Sequence, residues 1–182
     1  MTEPDQNRAD LQQDRSVVKL KGTGIEVEAN YQPSRNFYLI AGYSYIDATV
    51  NAPAFDVGNT SLTSPLERYF LQPANTWLRR QGVPRNSVNL LATYKLDSGF
   101  GVSGSAVWAS NINNNVAGTI VIPDQYTIDL TLFYSAKSYE FRLAVLNATD
   151  EENWSAPNAV YGNESIVAEM PVRLEFTAKF KF

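Results

Sequence analysis

The chain has 182 residues, with 15 basic and 19 acidic side chains, a net charge of -4, and neither cysteine nor histidine. Without cysteine there is no disulfide framework or thiolate metal site, and without histidine the usual general base at neutral pH, the Ser-His triad and the commonest metal ligand are missing, so no cofactor, no metal and no enzymatic activity are expected; the acidic balance disfavours nucleic acid, whose phosphates demand a basic footprint. No run of about 18 apolar residues occurs, which excludes a transmembrane helix but not membrane strands, whose alternate residues dilute the hydropathy.

Residues 1–15 are polar and acidic and read as a flexible lead-in. They lack the apolar centre of a secretory signal, so the chain is expected to be the carboxy-terminal part of something longer. From Val17 the period becomes two. A first strand over 17–32 puts Ile25, Val27, Ala29 and Tyr31 on one face and Glu26, Glu28 and Asn30 on the other. Its earlier apolar positions, Val18 and Leu20, are even rather than odd, which predicts a bulge at Gly22-Thr23-Gly24. A turn at 33–36 leads to a second strand over 37–50, with Phe37, Leu39, Ala41, Tyr43 and Tyr45 outward.

Residues 51–84 contain four prolines and no sustained period, so they read as a long loop with a helical turn near 65–71. Strands follow over 86–97 (Val88, Leu90, Ala92 and Tyr94 on one face) and 100–111 (Phe100, Val102, Ala106 and Trp108), joined by a tight turn at 97–99. After an asparagine-rich loop at 112–123 come strands over 124–136 and 139–148, joined at Lys137-Ser138. A loop over about 150–170 precedes the ending PVRLEFTAKFKF. There Val172, Leu174, Phe176, Ala178, Phe180 and Phe182 alternate with Arg173, Glu175, Thr177, Lys179 and Lys181.

Eleven residues at roughly 3.3 Å each, tilted near 45°, rise about 26 Å, the height of an outer-membrane barrel's apolar band. Short and long connections alternate, as they do in barrels with short periplasmic turns and long outer loops. With the carboxy terminus in the periplasm, every short turn falls on that side. The fold class predicted is all-β, an antiparallel up-and-down meander of about seven long strands. The alternative is a soluble β-sandwich whose aromatic loops bind carbohydrate, but sandwich strands are typically five or six residues long. An outer-membrane hydrolase is disfavoured because no histidine is available to activate a serine.

The stretches GIEVEANYQPSRNFYLIAGYSYIDATV (24–50), GVPRNSVNLLATYKL (82–96), LAVLNATDEENW (143–154) and RLEFTAKFKF (173–182) together resemble the carboxy-terminal barrel strands of TonB-dependent outer-membrane receptors. That resemblance implies a place in the outer membrane of a Gram-negative bacterium, within a 22-stranded barrel completed by further strands and filled by a plug domain. It also implies contact with TonB through an amino-terminal segment absent here, and active uptake of a ferric siderophore or similar bulky nutrient. The partners implied are outer-membrane lipid and the barrel-assembly machinery, which would read Leu174, Phe176, Phe180 and Phe182. Seven strands alone are an odd count with two open edges, so the segment is not expected to transport anything by itself.

In the outer loops, Tyr69, Trp77, Arg79, Arg80 and Tyr161 are the candidate ligand-binding residues, because aromatics and arginines dominate binding hot spots and arginine suits anionic ligands. Membership of the interfacial aromatic girdle competes with that reading for Trp77 and is favoured for Trp154. Asp129, Glu140, Arg142, Arg173 and Glu175 are expected to face the lumen in salt-bridge ladders with neighbouring strands or a plug. Glu26 and Glu28 merely share that face, with no base or cleft to make them catalytic.

Overall fold

The computed structural model describes residues 19–51, 77–114, 118, 120–155 and 166–181. The elements are β1 (Lys19–Tyr31), β2 (Phe37–Asn51), β3 (Trp77–Arg79), β4 (Asn86–Lys95), β5 (Phe100–Ala109), β6 (Ile112–Asn113), β7 (Val121–Ile122), β8 (Gln125–Ser135), β9 (Tyr139–Leu146), β10 (Trp154–Ser155), β11 (Val167–Ala168) and β12 (Arg173–Phe180). Seven of them form one sheet in the order β1-β2-β4-β5-β8-β9-β12, every neighbour antiparallel, and β3 extends it beside β2. The predicted lead-in, the helical turn near 65–71, Tyr69, Tyr161 and Phe182 lie outside the described residues.

The register fixes which side chains share a face, since directly paired residues point the same way. One row crosses all seven strands: Tyr31, Leu39, Ala92, Gly104, Leu130, Val145, Leu174. The opposite face carries Tyr38, Thr93, Ser103, Thr131, Ala144 and Glu175. Hydroxyl pairs lie along this polar side, Ser44 with Ser87 at 2.7 Å and Thr93 with Ser103 at 2.9 Å.

Among the described residues no second layer covers the apolar face. Among the described residues only Val50, Ile122 and Ala144 are buried apolar side chains, while Leu174 and Phe176 are 71% and 68% exposed. A sandwich packs that face on a partner sheet about 10 Å away, so the sandwich alternative fails on this structure.

The expected bulge at Gly22–Gly24 is not there. The β1–β2 ladder runs without a skipped residue from Lys19↔Asn51 to Tyr31↔Leu39. What changes at this level is polarity. Below it the outward face is apolar; above it the same face carries Lys19, Lys21, Asp47, Thr49 and Arg79, and the inward face carries Leu20, Val50 and Leu78. The phase switch in the sequence is therefore a reversal of which face is apolar, with no residue inserted. Gly24 has its own reason: a Cβ there would press into the Tyr45 carbonyl oxygen, whereas Gly22 has open space. Gly24→Ala is expected to lower stability by about 1–3 kcal/mol, as overpacking does. Gly22→Ala is expected to be neutral or to gain about 0.5–1 kcal/mol. Thermal unfolding of the two variants side by side checks the pair.

The loops are shorter than the sequence suggests. Trp77–Arg79 inside the predicted 51–84 loop pairs with the top of β2, Ile112–Asn113 pairs with Val121–Ile122, and Trp154–Ser155 pairs with Val167–Ala168. Two- and three-residue ladders of this kind leave no periodicity to read. At the other end the turns are stitched together. Arg35 pairs with Asp97 at 3.1 Å, and the Asn36 side-chain Nδ2 donates to the Lys95 carbonyl at 2.6 Å. Gly99, at φ 94°, accepts from the Ser135 amide at 2.9 Å.

Candidate functional site

The outer rim of the sheet gathers most of the chemistry. From β3 the chain leaves the β2 ladder at Arg80, whose amide still donates to the Ala48 carbonyl, and returns at Arg85, whose carbonyl accepts from Ile46. Six residues, 80–85, thus bridge a gap that three residues of β2 span, with Gly82 at φ 68° in the excursion. Arg79 ties this excursion down. Its guanidinium donates to the Asn111 side-chain oxygen at 2.8 Å, to the Asn111 carbonyl, and to the Val83 carbonyl at 3.3 Å. Burial, with the neighbouring Arg85 guanidinium, lowers its pKa, and Asp47 opposes the shift. Asp47 itself pairs with Arg85 at 3.4 Å.

Of the predicted ligand-binding residues, Trp77 and Arg79 share the outward face through their partners Asn51 and Thr49, Trp77 is half-exposed, and Arg80 is exposed. Removing the three-way contact by Arg79→Ala is expected to expose 80–85 to protease, with cleavage at least about tenfold faster, and Arg79→Lys is not expected to rescue it because an ammonium cannot reproduce the fork. Limited proteolysis of intact cells reads this directly.

A second structure at this rim lies within LAVLNATDEENW (143–154), one of the stretches that carry the family resemblance. Asn147 ends β9 at φ 49° and is 6% exposed. Its backbone amide donates to Asp129 Oδ1 at 2.9 Å, its side chain donates to the Glu151 carbonyl at 2.9 Å, and its side-chain oxygen accepts from the Glu151 amide at 3.0 Å. Asp150, at φ 53°, accepts from the Val172 amide at 2.9 Å and so sets the start of β12. Asn153, also 6% exposed, donates to the Tyr126 carbonyl at 2.8 Å and to Thr127 Oγ1 at 3.0 Å. Asparagine and aspartate tolerate left-handed backbone, which is the only local signal that could have flagged these positions.

Below the corner a concavity of about 480 Å³ with a mixed polar and apolar lining opens on the inward face, bordered by Thr127, Asp129, Asn147, Leu146, Met170 and Arg173 among others. The predicted inward charges do share this face, but not as ladders between strands. Arg142 pairs with Glu140 at 3.6 Å and Arg173 with Glu175 at 3.2 Å, each within its own strand. Across the strands Arg142 stands opposite Phe133 and Thr177 and Glu175 opposite Ala144, while Glu140 stands opposite Lys179. Asp129 holds Ser105 Oγ at 3.4 Å as well as the corner. Among the described residues no group of acidic side chains could hold a metal ion.

The closing strand presents Leu174, Phe176 and Phe180 on one face, each more than half exposed. Its other edge is unpaired among the described residues.

A family model described as TonB dependent receptor-like, beta-barrel matches residues 4–148. No curated protein sequence matches the chain. Among solved structures, the ferric preacinetobactin receptor BauA of Acinetobacter baumannii aligns with a TM-score of 0.71 at 20% identity, covering 92% of this chain and 23% of that one. The siderophore receptor PiuA of the same organism gives 0.71 at 20% identity, covering 90% and 22%. The ferric-catecholate import receptor Fiu of K12 E. coli gives 0.66 at 17% identity, covering 91% and 21%. The chain therefore spans less than a quarter of the length of these neighbours, and at such identities the likeness is one of fold.

Proposed function

The chain belongs to the TonB-dependent receptor-like β-barrel family, whose place is the outer membrane of Gram-negative bacteria, and from that premise we propose that it forms about a third of the wall of a receptor that takes up a ferric siderophore or a similar bulky nutrient. The observation that carries the proposal is the single seven-stranded sheet with one uncovered apolar face, one polar face and its elaborated connections all at one rim. Such a sheet is stable only where lipid wets the first face and further strands pair with both edges.

In this reading the segment is not transport-competent alone. A plug domain and a segment contacted by TonB complete the receptor, and the barrel-assembly machinery reads Leu174, Phe176, Phe180 and Phe182, with strand addition at the exposed edge as the physical mechanism. The ligand side is the outer rim. Tyr69, Trp77, Arg79, Arg80 and Tyr161 are the residues proposed to contact an anionic chelate there, with Arg80 the more exposed of the two arginines.

Growth of a deletion strain under iron limitation on a panel of ferric siderophores tests this. Loss of growth on one of them, restored by the complete receptor but not by residues 1–182 alone, is the expected result. A strain that grows normally on every chelate, with the protein in the soluble fraction, would overturn the proposal.

A further inference from the structure

We propose that the concavity beneath the Asn147–Asn153 corner is a binding site for an alkylammonium group; the inference deepens the receptor reading above and rests on it. The head of such a group donates hydrogen bonds and accepts none. The chain leaves acceptors for it. Asn153 is 6% exposed and its Nδ2 is committed to the Tyr126 carbonyl and to Thr127 Oγ1, yet its Oδ1 accepts from nothing among the described residues. A buried acceptor without a donor is costly, and a ligand that supplies the donor recovers the loss. The Glu169 amide donates to the Asn153 carbonyl at 2.9 Å, which sets Glu169 on the same wall, and its carboxylate has no cation beside it among the described residues. Asp129 borders the cavity as well, and the groups it accepts from, the Asn147 amide at 2.9 Å and Ser105 Oγ at 3.4 Å, are both neutral.

The rest of the lining suits the stem. Leu146, Ala168 and Met170 border the same space of about 480 Å³, and a chain of methylenes lies against apolar side chains while its charged head stays with polar ones. Charge disfavours an anion. Arg173 is the cation of the lining, but its Nε donates to Glu175 at 3.2 Å and its Nη1 to Met170 Sδ at 3.1 Å. Between Asn147 and Arg173 the described residues carry Asp150, Glu151 and Glu152 in addition to Glu169, and no other base. The field on this side of the rim is therefore negative, whereas Arg79, Arg80 and Arg85 stand on the side of β3 and β4. A chelate with an anionic centre and an aminoalkyl arm would be oriented by that division, its centre toward β3 and β4 and its arm toward β8, β9 and β12. A lysine from another segment of the receptor carries the same chemistry as the arm.

The experiment titrates the complete receptor carrying this segment, in detergent, with butylammonium, butanol and butyrate by calorimetry. Butylammonium is expected at one site, with butanol about fivefold weaker and butyrate unbound; the factor is modest because Glu169 and Arg173 are exposed. Glu169→Lys is expected to reverse the order of butylammonium and butyrate, which a merely structural role would not do. Ala168→Phe, which fills the cavity, is expected to lose both; should it not assemble, the charge reversal still decides. A carbodiimide separates the two sources of the ammonium. A lysine of the receptor seated in the cavity would exclude butylammonium and be found amide-linked to Glu169 by peptide mass spectrometry, whereas an open cavity links butylamine there and leaves the site to the arm of the nutrient. Butylammonium bound alike by the natural chain and Glu169→Lys, butyrate preferred by the natural chain, or neither a titration nor a Glu169 cross-link would each overturn the site. Normal growth of the deletion strain on every chelate, with the protein in the soluble fraction, overturns the receptor reading instead, a separate failure.

Discussion

Arginine in place of Leu130 is expected to cost the folded barrel about 2–4 kcal/mol, the depth-dependent penalty for a charge on the lipid face near the bilayer midplane. Leu130 stands midway along β8 between Tyr126 and Tyr134 and belongs to the apolar row that crosses all seven strands. At a factor of ten for each 1.4 kcal/mol, the folded-to-unfolded ratio falls roughly 30- to 1000-fold. The control is one residue away. Thr131→Arg puts the same charge on the inward face, between Ser103 and Ala144, where water reaches it, and is expected to cost less than about 1 kcal/mol. Urea unfolding of the receptor in lipid vesicles compares the two, and equal losses would mean that the outward face does not meet hydrocarbon.

The second large effect is expected at Asn147. Replacing it by alanine removes side-chain hydrogen bonds to both backbone groups of Glu151, each worth about 1 kcal/mol, and places a Cβ residue without a polar side chain at positive φ, for about 1–2 kcal/mol more. Asn147→Gly separates the two contributions, because glycine accepts the backbone but supplies no side chain. The alanine variant is expected to lose about 3–4 kcal/mol and the glycine variant about 2 kcal/mol. The loss appears first as faster hydrogen exchange at Val172, the amide that Asp150 holds.

The wall was legible because alternation is a long signal. Each main strand offers eight to fifteen residues in which the apolar member recurs at every second place, and the register assigns Phe176, Leu132, Val88 and Ile25 to the side that the alternation gives. The same reasoning misjudged Gly22–Gly24, because a switch of phase has two physical origins. An inserted residue rotates the strand; a change of solvent reverses which face is apolar. Only the uninterrupted ladder from Lys19 to Tyr31 separates them.

The rim was harder to read. Arg79 drew attention as a cation in a loop, yet its contact with Asn111 spans 32 residues of sequence, and no local pattern encodes that distance. Asn147 and Asn153 read as loop polarity, though their burial makes them anchors.

The two margins of the sheet among the described residues, β1 and β12, point the same way, since a run of seven strands, each antiparallel to the next, gives its first and last members like direction. A second copy inserted upright beside the first would therefore bring its leading margin against β12 in parallel, the weaker and rarer pairing. Self-assembly into a ring is thus penalised at each junction. A complement contributing an odd number of strands meets both margins head to tail, so the direction of the chain at its borders selects for a dissimilar neighbour over its own kind.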